Sequence, residues 1–544
     1  MSNNPSRRKF ASLVFGLPLP AALLHHYVKG ASQASSAQQL GVYFNVRDFG
    51  AAGDGSRLDT QAIQSAVEAC SRAGGGVVYF PAGRYLSGTI FFKSGVTLHL
   101  AEGSTLLGSR NLNDYPITIP EYRSYTDNYS ERSILYGEKV ERIGIAGKGV
   151  IDGQSDAFQG GFKVRPYILR LVQCRQVTVS DVTFTNSAMW VQHYLACEDV
   201  FIRGIRVRSL CCTYNHDGLD IDSCQRVRVS DCDIVSEDDA IALKSTSPLP
   251  CRDIVITNCI LSSRINAIKM GTETNGGFEN ITINNISIYE TRNAGIALEI
   301  VDGGTMDRVT ISNIVMRDTG CPVFIRLGDR GRPHQSGLPR PGVGKLRNVV
   351  ISNIQATGAN EIGCSITGLP GHEVENVSLD NISISFRGGG TREDARRQIP
   401  ELTEAYPEYN MFGILPSYGF YCRHIVELSL ANISISYERD DLRPAIVCDD
   451  VTKLSLTKFT AESQLNGEPL IRLDQVREAV LQNCRASAGA QTFLQVNGNQ
   501  SRGIMLMTND LSNVANAIEV NNDVPAGVVQ SCSLRNLVPP RRVR

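Results

Sequence analysis

A short pattern of alternating apolar and polar residues recurs along the chain. It reads apolar-x-apolar-x-Asn/Asp-apolar, as in Val227-Arg228-Val229-Ser230-Asp231-Cys232, and successive copies begin at residues 227, 254, 281 and 309, 27 or 28 residues apart. Alternation with period two predicts β-strands that bury one face, and Asn or Asp after each strand suits a tight turn. No leucine consensus or recurring helix supports a leucine-rich repeat. The pattern therefore predicts an all-β fold, a single-stranded right-handed parallel β-helix.

A helix is predicted ahead of the repeats. Ile63, Ala66, Val67 and Cys70 lie on one helical face, with Asp59 as the capping residue. An uncovered first coil would expose apolar core and unpaired strand edges. We therefore expect this short N-terminal helix to cover that end of the solenoid.

The first 37 residues have the features of a twin-arginine export signal. The pair Arg7-Arg8 is followed by an apolar segment at 11–24 and by small residues up to Ala37. The apolar segment is too short to span a membrane. The sequence therefore predicts a bacterial protein exported to the periplasm or out of the cell. Residues 38–544 are expected to form one β-helical domain that has no membrane contact once the signal is removed.

Composition narrows the possible partners. The 544 residues carry a net charge of −1, and 42% of them are hydrophobic while 20% are charged. This charge gives no reason to expect nucleic acid or an anionic membrane as a partner. The oligomeric state does not follow from the sequence, and a monomer is favoured.

Fifteen cysteines would usually suggest disulfides in an exported protein. Several recur at equivalent places in the repeat, as Cys174, Cys197 and Cys224 do, and no spacing matches a zinc site. This arrangement favours buried reduced thiols. The adjacent pair Cys211-Cys212 is not explained in this way.

Two stretched steps between repeats mark inserted loops. Residues 328–345 are rich in Gly, Pro and Arg, and residues 387–424 contain Tyr406-Pro407-Glu408-Tyr409 among other aromatic residues. Loops of this length in a compact solenoid are functional or disordered, and the aromatic content favours order. They are interpreted either as walls of a substrate cleft or as a cover over apolar coils.

Three carboxylates occur in two acidic motifs about one repeat apart. Asp217 lies in Asn215-His216-Asp217-Gly218, and Asp238 and Asp239 lie in Glu237-Asp238-Asp239. Because coils stack about 4.8 Å apart, the three acids are predicted to meet on one face. Like charges this close push their pKa values apart, so one carboxyl keeps a proton while its neighbours stay ionised. Acid/base cleavage of a glycosidic bond needs this division of roles.

The neighbours of these acids have two interpretations each. Asp220 and Asp222 alternate with core residues on the same strand, and they either support the acids or belong to the core. Trp190 and His193, one coil earlier, either line the cleft or pack in the interior. Lys244 is predicted to face either the acids or plain solvent, and the acids are slightly favoured.

The opening Val46-Arg47-Asp48-Phe49-Gly50-Ala51, the β-helix and the acidic motifs together resemble glycoside hydrolase family 28, the polygalacturonases and rhamnogalacturonan hydrolases. The two acidic segments resemble the family's Asn-Thr-Asp and Gly/Gln-Asp-Asp motifs. The resemblance implies that Asp238 is the general acid and that Asp217 and Asp239 activate the water. It also implies inversion at the anomeric carbon and no metal or organic cofactor.

Two further motifs of that family are missing. Polygalacturonases have Gly-His-Gly where this chain has Ile265-Asn266-Ala267, and Arg-Ile-Lys where it has Ala297-Leu298-Glu299. In polygalacturonases the Arg and Lys hold a galacturonate carboxylate, which Glu299 would repel. The missing histidine resembles the rhamnogalacturonan-type members, whose substrate alternates neutral rhamnose with galacturonate. Arg264, Lys269 or Arg326 is expected to supply a relocated cation. The residues predicted to bind substrate are Asn215, Lys244, Asn266, Lys269, Glu299 and Arg326.

These observations predict an inverting hydrolase of pectic polysaccharide, acting on rhamnogalacturonan or its oligosaccharides rather than on homogalacturonan. Three alternatives stay open: a homogalacturonan-acting polygalacturonase, a polysaccharide lyase that would need a base and commonly calcium, and a non-catalytic carbohydrate-binding β-helix. Exo or endo action depends on whether the two inserted loops close one end of the cleft.

Overall fold

The computed structural model describes residues 43–210, 214–487, 489–532 and 541–542. The predicted export signal and the pair Cys211-Cys212 lie outside these residues. No helix within them has the length and apolar character needed to cross a membrane.

The chain winds into a parallel β-helix, which confirms the fold that the repeat predicted. Strands pair in parallel with those of the coils before and after, so Val227, Ile254 and Ile281 stack directly on one another. The early coils use short strands separated by turns. Later coils use longer ones, and the 23-residue strand Phe278–Ile300 pairs with three separate strands of the preceding coil.

The secondary-structure elements are almost all strands. In chain order the strands are Tyr43–Asn45, Asp54–Leu58, Gly76–Phe80, Gly83–Ser87, Ile90–Phe91, Val96–Leu100, Ser104–Gly108, Ser133–Glu138, Glu141–Gly147, Val150–Asp152, Tyr167–Val172, Arg175–Ser180, Thr183–Thr185, Gln192–Leu195, Glu198–Arg203, Arg206–Ser209, Leu219–Asp222, Gln225–Ser230, Asp233–Ser236, Ile241–Ser245, Cys251–Thr257, Ile260–Ser263, Ile268–Thr274, Phe278–Ile300, Thr305–Leu327, Lys345–Ala359, Cys364–Thr367, Val374–Gly388, Phe420–Arg439, Ile446–Thr457, Thr460–Ala461, Ile471–Asp474, Arg477–Gln482, Arg485–Ala486, Thr492–Asn497, Arg502–Met507, Asn516–Val520, Val529–Cys532 and Arg541–Arg542. The helices are Thr60–Arg72 and Arg392–Ala395, and the 3-10 segments are Val46–Phe49, Leu112–Asp114, Tyr125–Asn128, Ser155–Ala157 and Phe162–Val164.

The interior is one continuous stack of apolar side chains. Positions that recur in the repeat are buried and lie in register from coil to coil, and burial of each such aliphatic side chain stabilises the fold by roughly 1.5–3 kcal/mol. Within the described part of the chain, twelve cysteines are free and buried, as predicted. One stacked column contains Val227, Ile254, Ile281, Val309, Val349, Val377 and Leu428.

The recurring asparagines form a ladder at one corner of the coils. Asn258, Asn285 and Asn313 have left-handed backbone, with φ of 56°, 55° and 57°. The side-chain amide of Asn285 donates to Asn258 at 3.3 Å, and that of Asn313 donates to Asn285 at 3.2 Å. The corner therefore needs both the αL tolerance of asparagine and its paired donor and acceptor.

The predicted helix is present at Thr60–Arg72 and buries Ile63, Ala66, Val67 and Cys70. Its expected cap differs from the prediction. Asp59 occupies the capping position, but its side chain makes no cap hydrogen bond. The carboxylate accepts instead from the backbone N–H groups of Ala52 at 2.7 Å and Gly53 at 2.9 Å, because the preceding turn brings these donors closer. Asp59 thus ties the first turn to the helix.

Three long connections leave the β-helix. Two are the insertions indicated by the sequence, and they run over residues 328–344 and 389–419. The third spans 109–132 and includes the 3-10 segment Tyr125–Asn128. The N–H of Tyr125 donates to the carbonyl of Thr246 at 2.9 Å, so this connection lies over the coil that carries Lys244.

Candidate active site

Two neighbouring coils carry the three acids. Asp217 precedes the strand Leu219–Asp222, and Asp238 and Asp239 precede the strand Ile241–Ser245 that pairs with it. Each acid offers a carboxylate oxygen that lies within 4.8 Å of the other two. A water with hydrogen bonds of about 2.8 Å to two oxygens spans up to about 5.6 Å. The cluster can therefore hold one water between a pair of carboxylates.

The glycine of the first acidic motif allows the two coils to approach. The N–H of Gly218 donates to the carbonyl of Asp239 at 2.9 Å. A Cβ on Gly218 would lie only 2.6 Å from the carbonyl oxygen of Ala240. Any larger residue would push the coils apart at the point where the carboxylates meet.

The three acids differ in burial. Asp217 and Asp239 are buried, whereas Asp238 is half-buried. Burial, together with the charges of Asp220 and Asp238, raises the pKa of Asp217 well above its usual value. Burial and the charge of Asp239 also raise the pKa of Asp238, although it accepts backbone N–H bonds from Asn215 at 3.0 Å and Asp239 at 2.9 Å. Asp217 and Asp238 therefore retain protons that isolated aspartates would lose.

Lys244 lies among the buried carboxylates. Its Nζ is 3.5 Å from Asp217, 3.4 Å from Asp220 and 3.9 Å from Glu273. Burial opposes the charge on this ammonium, but the surrounding carboxylates outweigh it and raise its pKa above the ordinary value. Its Nζ also lies 4.8 Å from the centroid of the Trp190 ring. The ammonium of Lys244 therefore balances negative charge on the buried carboxylates around it.

Lys269 lies on the other side of the cluster. Its Nζ is 3.3 Å from an oxygen of Asp239 and 3.8 Å from Glu408, and it donates to the Tyr406 hydroxyl at 3.3 Å. Burial again opposes the charge, and the nearby carboxylates again raise the pKa of the ammonium. Both ammonium groups lie where a metal ion bound to the acids would be repelled. The donor set of three aspartates therefore does not fit a divalent cation well.

The two asparagines of the predicted site position the acids. Asn266 is fully buried, and its amide donates to Asp239 at 2.9 Å while its oxygen accepts from the N–H of Ala294 at 2.9 Å. It has no surface left for a sugar, contrary to its assignment to substrate binding. Asn215 accepts from the guanidinium of Arg165 at 3.1 Å, which fixes the backbone N–H that Asn215 directs to Asp238.

Glu299 and Arg326 also differ from the sequence interpretation. Glu299 is fully buried, and burial raises the pKa of its carboxyl well above the usual value. It therefore presents no surface charge that would repel a substrate carboxylate. Arg326 is buried and donates to the carbonyls of Gly368 at 3.1 Å and Glu401 at 2.7 Å. Its guanidinium anchors the 389–419 loop, so it is not a relocated substrate cation.

Trp190 and His193 are both buried, so neither presents a face to solvent. His193 approaches Asp222 at 3.2 Å, and Asp222 also accepts from the hydroxyl of Thr246 at 2.5 Å. Asp222 therefore belongs to the buried support of the site.

Sequence reasoning missed a second charged group beside Lys244. Glu273 accepts from Arg332 at 2.5 Å and lies 3.8 Å from Arg330, and both arginines come from the 328–344 loop. Burial opposes ionisation of Glu273, but Lys244 and the two arginines outweigh it and lower its pKa to about 2. The only signal in the sequence was the arginine content of that loop.

The 389–419 loop contributes two further residues near the acids. Tyr406 is half exposed and lies beside Lys269, and Glu408 accepts from the side chain of Asn293 at 2.9 Å. Burial raises the pKa of Glu408. The sequence left a cleft wall and a cover over apolar coils equally open. Tyr406 contacts Lys269 as a wall residue would, while Ile399, Phe412 and Leu415 pack with Tyr421 and Val447 as a cover would.

Comparisons with known proteins find relatives in both sequence and fold. The model of the family described as Glycosyl hydrolases family 28 matches residues 70–403. A probable polygalacturonase of Vitis vinifera is 28% identical over 365 residues, which cover 62% of this chain and 73% of that protein. The fold is similar to that of a family 28 exopolygalacturonase of Yersinia enterocolitica, with a TM-score of 0.59 and 20% identity over 78% of this chain and 79% of that one. It is also similar to an exopolygalacturonase of Thermotoga maritima, with a TM-score of 0.56 and 22% identity over 63% of this chain and 87% of that one.

Proposed function

The chain belongs to glycosyl hydrolases family 28, and from this premise we propose that it hydrolyses galacturonate-containing pectic chains with inversion at the anomeric carbon. The observation that carries the proposal is the trio of acids with unequal environments beside the buried cation of Lys269. Only a polysaccharide or oligosaccharide partner is required, and no metal or organic cofactor enters the proposed reaction.

Asp238 is the proposed general acid. It is the most exposed of the three acids, and its raised pKa keeps a proton available for the departing glycosidic oxygen. Its two backbone N–H partners hold the carboxyl in one orientation and stabilise the anion that forms after proton transfer.

Asp239 is the proposed base, with Asp217 as its partner. The amide of Asn266 and the ammonium of Lys269 bind separate oxygens of Asp239, which orients the carboxylate toward a water shared with Asp217. As the water attacks the anomeric carbon from the face opposite the leaving oxygen, its proton passes to this pair. The anomeric configuration is therefore inverted.

The substrate expectation changes with the structure. Repulsion by Glu299 had argued against homogalacturonan, but its carboxyl is buried and has a raised pKa. Lys269 is only 3% exposed and already pairs with Asp239 and Glu408, so it is the similarity to polygalacturonases that favours an acidic substrate. We therefore favour oligogalacturonate or polygalacturonate as substrate. Rhamnogalacturonan is the second candidate, because Asn266 stands where polygalacturonases have histidine.

The three long connections support exo action. Residues from 109–132 and 328–344 meet where Arg332 donates to the Tyr125 hydroxyl at 3.0 Å, and Tyr406 of 389–419 reaches Lys269. Loops in contact beside the acids would limit how far a polymer can extend past them. The proposed enzyme therefore releases short products from a chain end.

Product analysis tests the proposal. Purified protein and Asp238→Asn are incubated with polygalacturonate and with rhamnogalacturonan oligosaccharides. New saturated reducing ends of inverted configuration, absent with the variant, are expected from polygalacturonate. Reducing ends from rhamnogalacturonan alone would select the second substrate. Unsaturated products would identify a lyase, and no product from either substrate would favour a carbohydrate-binding role.

A further inference from the structure

Arg165 is a buried cation beside the acids, and no carboxylate of the described residues forms an ion pair with it. It is only 1% exposed. Its hydrogen bonds go to neutral oxygens, since Nη1 donates to the Tyr214 carbonyl at 2.6 Å and Nη2 donates to the Asn215 side chain at 3.1 Å. Its Nε is buried and has no acceptor in the described part of the chain. A buried charge normally has a partner of opposite charge, so this guanidinium calls for an explanation.

The chain holds the guanidinium in one place. Arg165 follows the 3-10 segment Phe162–Val164 and has extended backbone, with φ of −113° and ψ of 103°, as expected for a residue that precedes a proline. The guanidinium carbon lies 5.2 Å from the ring centroid of Phe162 and 5.6 Å from that of Tyr214. Both distances are within the range of a cation–π contact. The cation therefore has little freedom to turn away from the acids.

Both acceptors of Arg165 belong to the turn that enters the first acidic motif. Asn215 has left-handed backbone at this turn, with φ of 65°, and its N–H donates to Asp238 at 3.0 Å. Burial and the charge of Asp239 raise the pKa of Asp238, and the hydrogen bond from Asn215 opposes them. The orientation of this turn therefore affects how readily Asp238 gives up its proton.

The charge of Arg165 acts on the ionisable groups around the same turn. Burial lowers the pKa of the guanidinium, and the charges of Asp217 and Asp238 oppose this effect. Burial and the charge of Arg165 lower the pKa of His216 to about 4, so this imidazole is uncharged at neutral pH. Because opposite charges stabilise one another, the guanidinium favours the ionised forms of Asp217 and Asp238.

We propose that Arg165 is a positioning residue for the general acid Asp238. Its paired donors fix the turn that directs the Asn215 N–H, and its charge stabilises the carboxylate that remains once Asp238 has given its proton to the departing oxygen. A neutral side chain could meet the same two oxygens without the cost of burying a charge, so the charge has a role beyond these contacts. The inference rests on the proposed function, in which Asp238 loses and regains a proton in each turnover.

Two substitutions separate the charge from the geometry. Arg165→Met removes both, whereas Arg165→Lys keeps a positive charge but not the forked pair of donors. With oligogalacturonate, Arg165→Met is expected to lower kcat by up to about 10²-fold, the cost of misplacing a reacting group by about 1 Å, and to leave KM unchanged. The fall in rate at alkaline pH should move upward by about one pH unit in Arg165→Met. In Arg165→Lys it should stay near its position in the parent while kcat is reduced.

Direct titration of Asp238 tests the inference without hydrolysis. Carbon-13 NMR of protein labelled at the aspartate carboxyl groups follows the Asp238 signal, which is identified by its absence from Asp238→Asn. The pKa of Asp238 is expected to be higher in Arg165→Met than in the parent. An unchanged titration would overturn the inference. A protein that shows the higher pKa but hydrolyses neither pectic substrate would overturn the proposed function alone.

The control for a simple loss of stability is Ile351→Ala. Ile351 is fully buried on the strand Lys345–Ala359, four coils beyond Val229 in the stack, and its truncation leaves a cavity without a change of charge. This variant should unfold at a lower urea concentration but keep the kcat, KM and pH–rate profile of the parent. If Arg165→Met lost only stability in the same way, or raised KM at unchanged kcat, Arg165 would not position the acid.

Discussion

Lys244 provides a direct test of how charge is balanced beneath the acids. The perturbation is Lys244→Met, which keeps an unbranched side chain of similar length against Trp190 but removes the ammonium. The side chain of Lys244 is only 7% exposed, and its contacts with Asp217, Asp220 and Glu273 are all buried. Removal of one partner from such a buried group costs about 3–5 kcal/mol of the free energy of unfolding.

The size of this effect is measured against an exposed pair. Lys453 pairs with Glu427 at 2.7 Å, but the two side chains are 53% and 49% exposed. Lys453→Met should therefore cost far less of the free energy of unfolding, because solvent screens an exposed pair. Urea unfolding of the two variants and the parent at neutral pH gives the comparison.

The pH dependence provides a second criterion. Because the pKa of Asp217 is raised in the folded protein, the carboxyl releases its proton on unfolding at neutral pH, and this release stabilises the unfolded state. Loss of Lys244 raises the folded-state pKa of Asp217 further, so it increases this destabilisation of the folded protein. Below the ordinary aspartate pKa of 3.8, the carboxyl is neutral in both states, and no uncompensated charge remains. The destabilisation by Lys244→Met should therefore shrink as pH falls toward 3.8. Equal effects of the two methionine substitutions, or a Lys244 effect that grows on acidification, would refute this account.

Three further results are expected. The rate of hydrolysis should fall as pH rises through the raised pKa of Asp238. Asp238→Asn should lower kcat by about 10²–10⁴-fold and remove this fall in rate at alkaline pH. Asp231→Asn, at a coil corner, should leave the pH–rate profile unchanged. Glu299→Gln should leave KM for oligogalacturonate within about twofold, because the pKa shift predicts a neutral carboxyl that glutamine replaces well; a large decrease in KM would mean that the native side chain is charged and repels substrate. Incubation with EDTA followed by desalting should not change activity, since Lys244 and Lys269 already neutralise the acids; loss of activity that calcium restores would contradict this.

The repeat made the fold and the acid trio predictable from sequence. Strand alternation is a local property, and a corner asparagine such as Asn285 follows from backbone that few other residues tolerate. Once the coil length is known, stacking places Asp217 next to Asp239 without further information. The same arithmetic did not decide whether Lys244 faces the acids or solvent, and it did not select Lys269 from the three candidate cations.

The chemistry of individual side chains was less predictable, because burial is set by elements distant in sequence. Lys269 and Tyr406 are in contact across 137 residues, and Arg326 is occupied by backbone carbonyls of a loop whose path the repeat does not specify. Glu299 looked like a repelling charge, yet enclosure by the stack raises its pKa.

The division between scaffold and loops explains where specificity resides in this molecule. The coils position the reacting carboxylates and cannot change without breaking the stack, since even Gly218 is required for the spacing of the two acidic motifs. The loops carry Arg330, Arg332 and Tyr406, which contact the site from outside the repeat. Substitutions in the loops can therefore alter which sugar is bound while the acid and base stay in place. The absence of family motifs on the coils therefore does not by itself indicate loss of an acidic substrate.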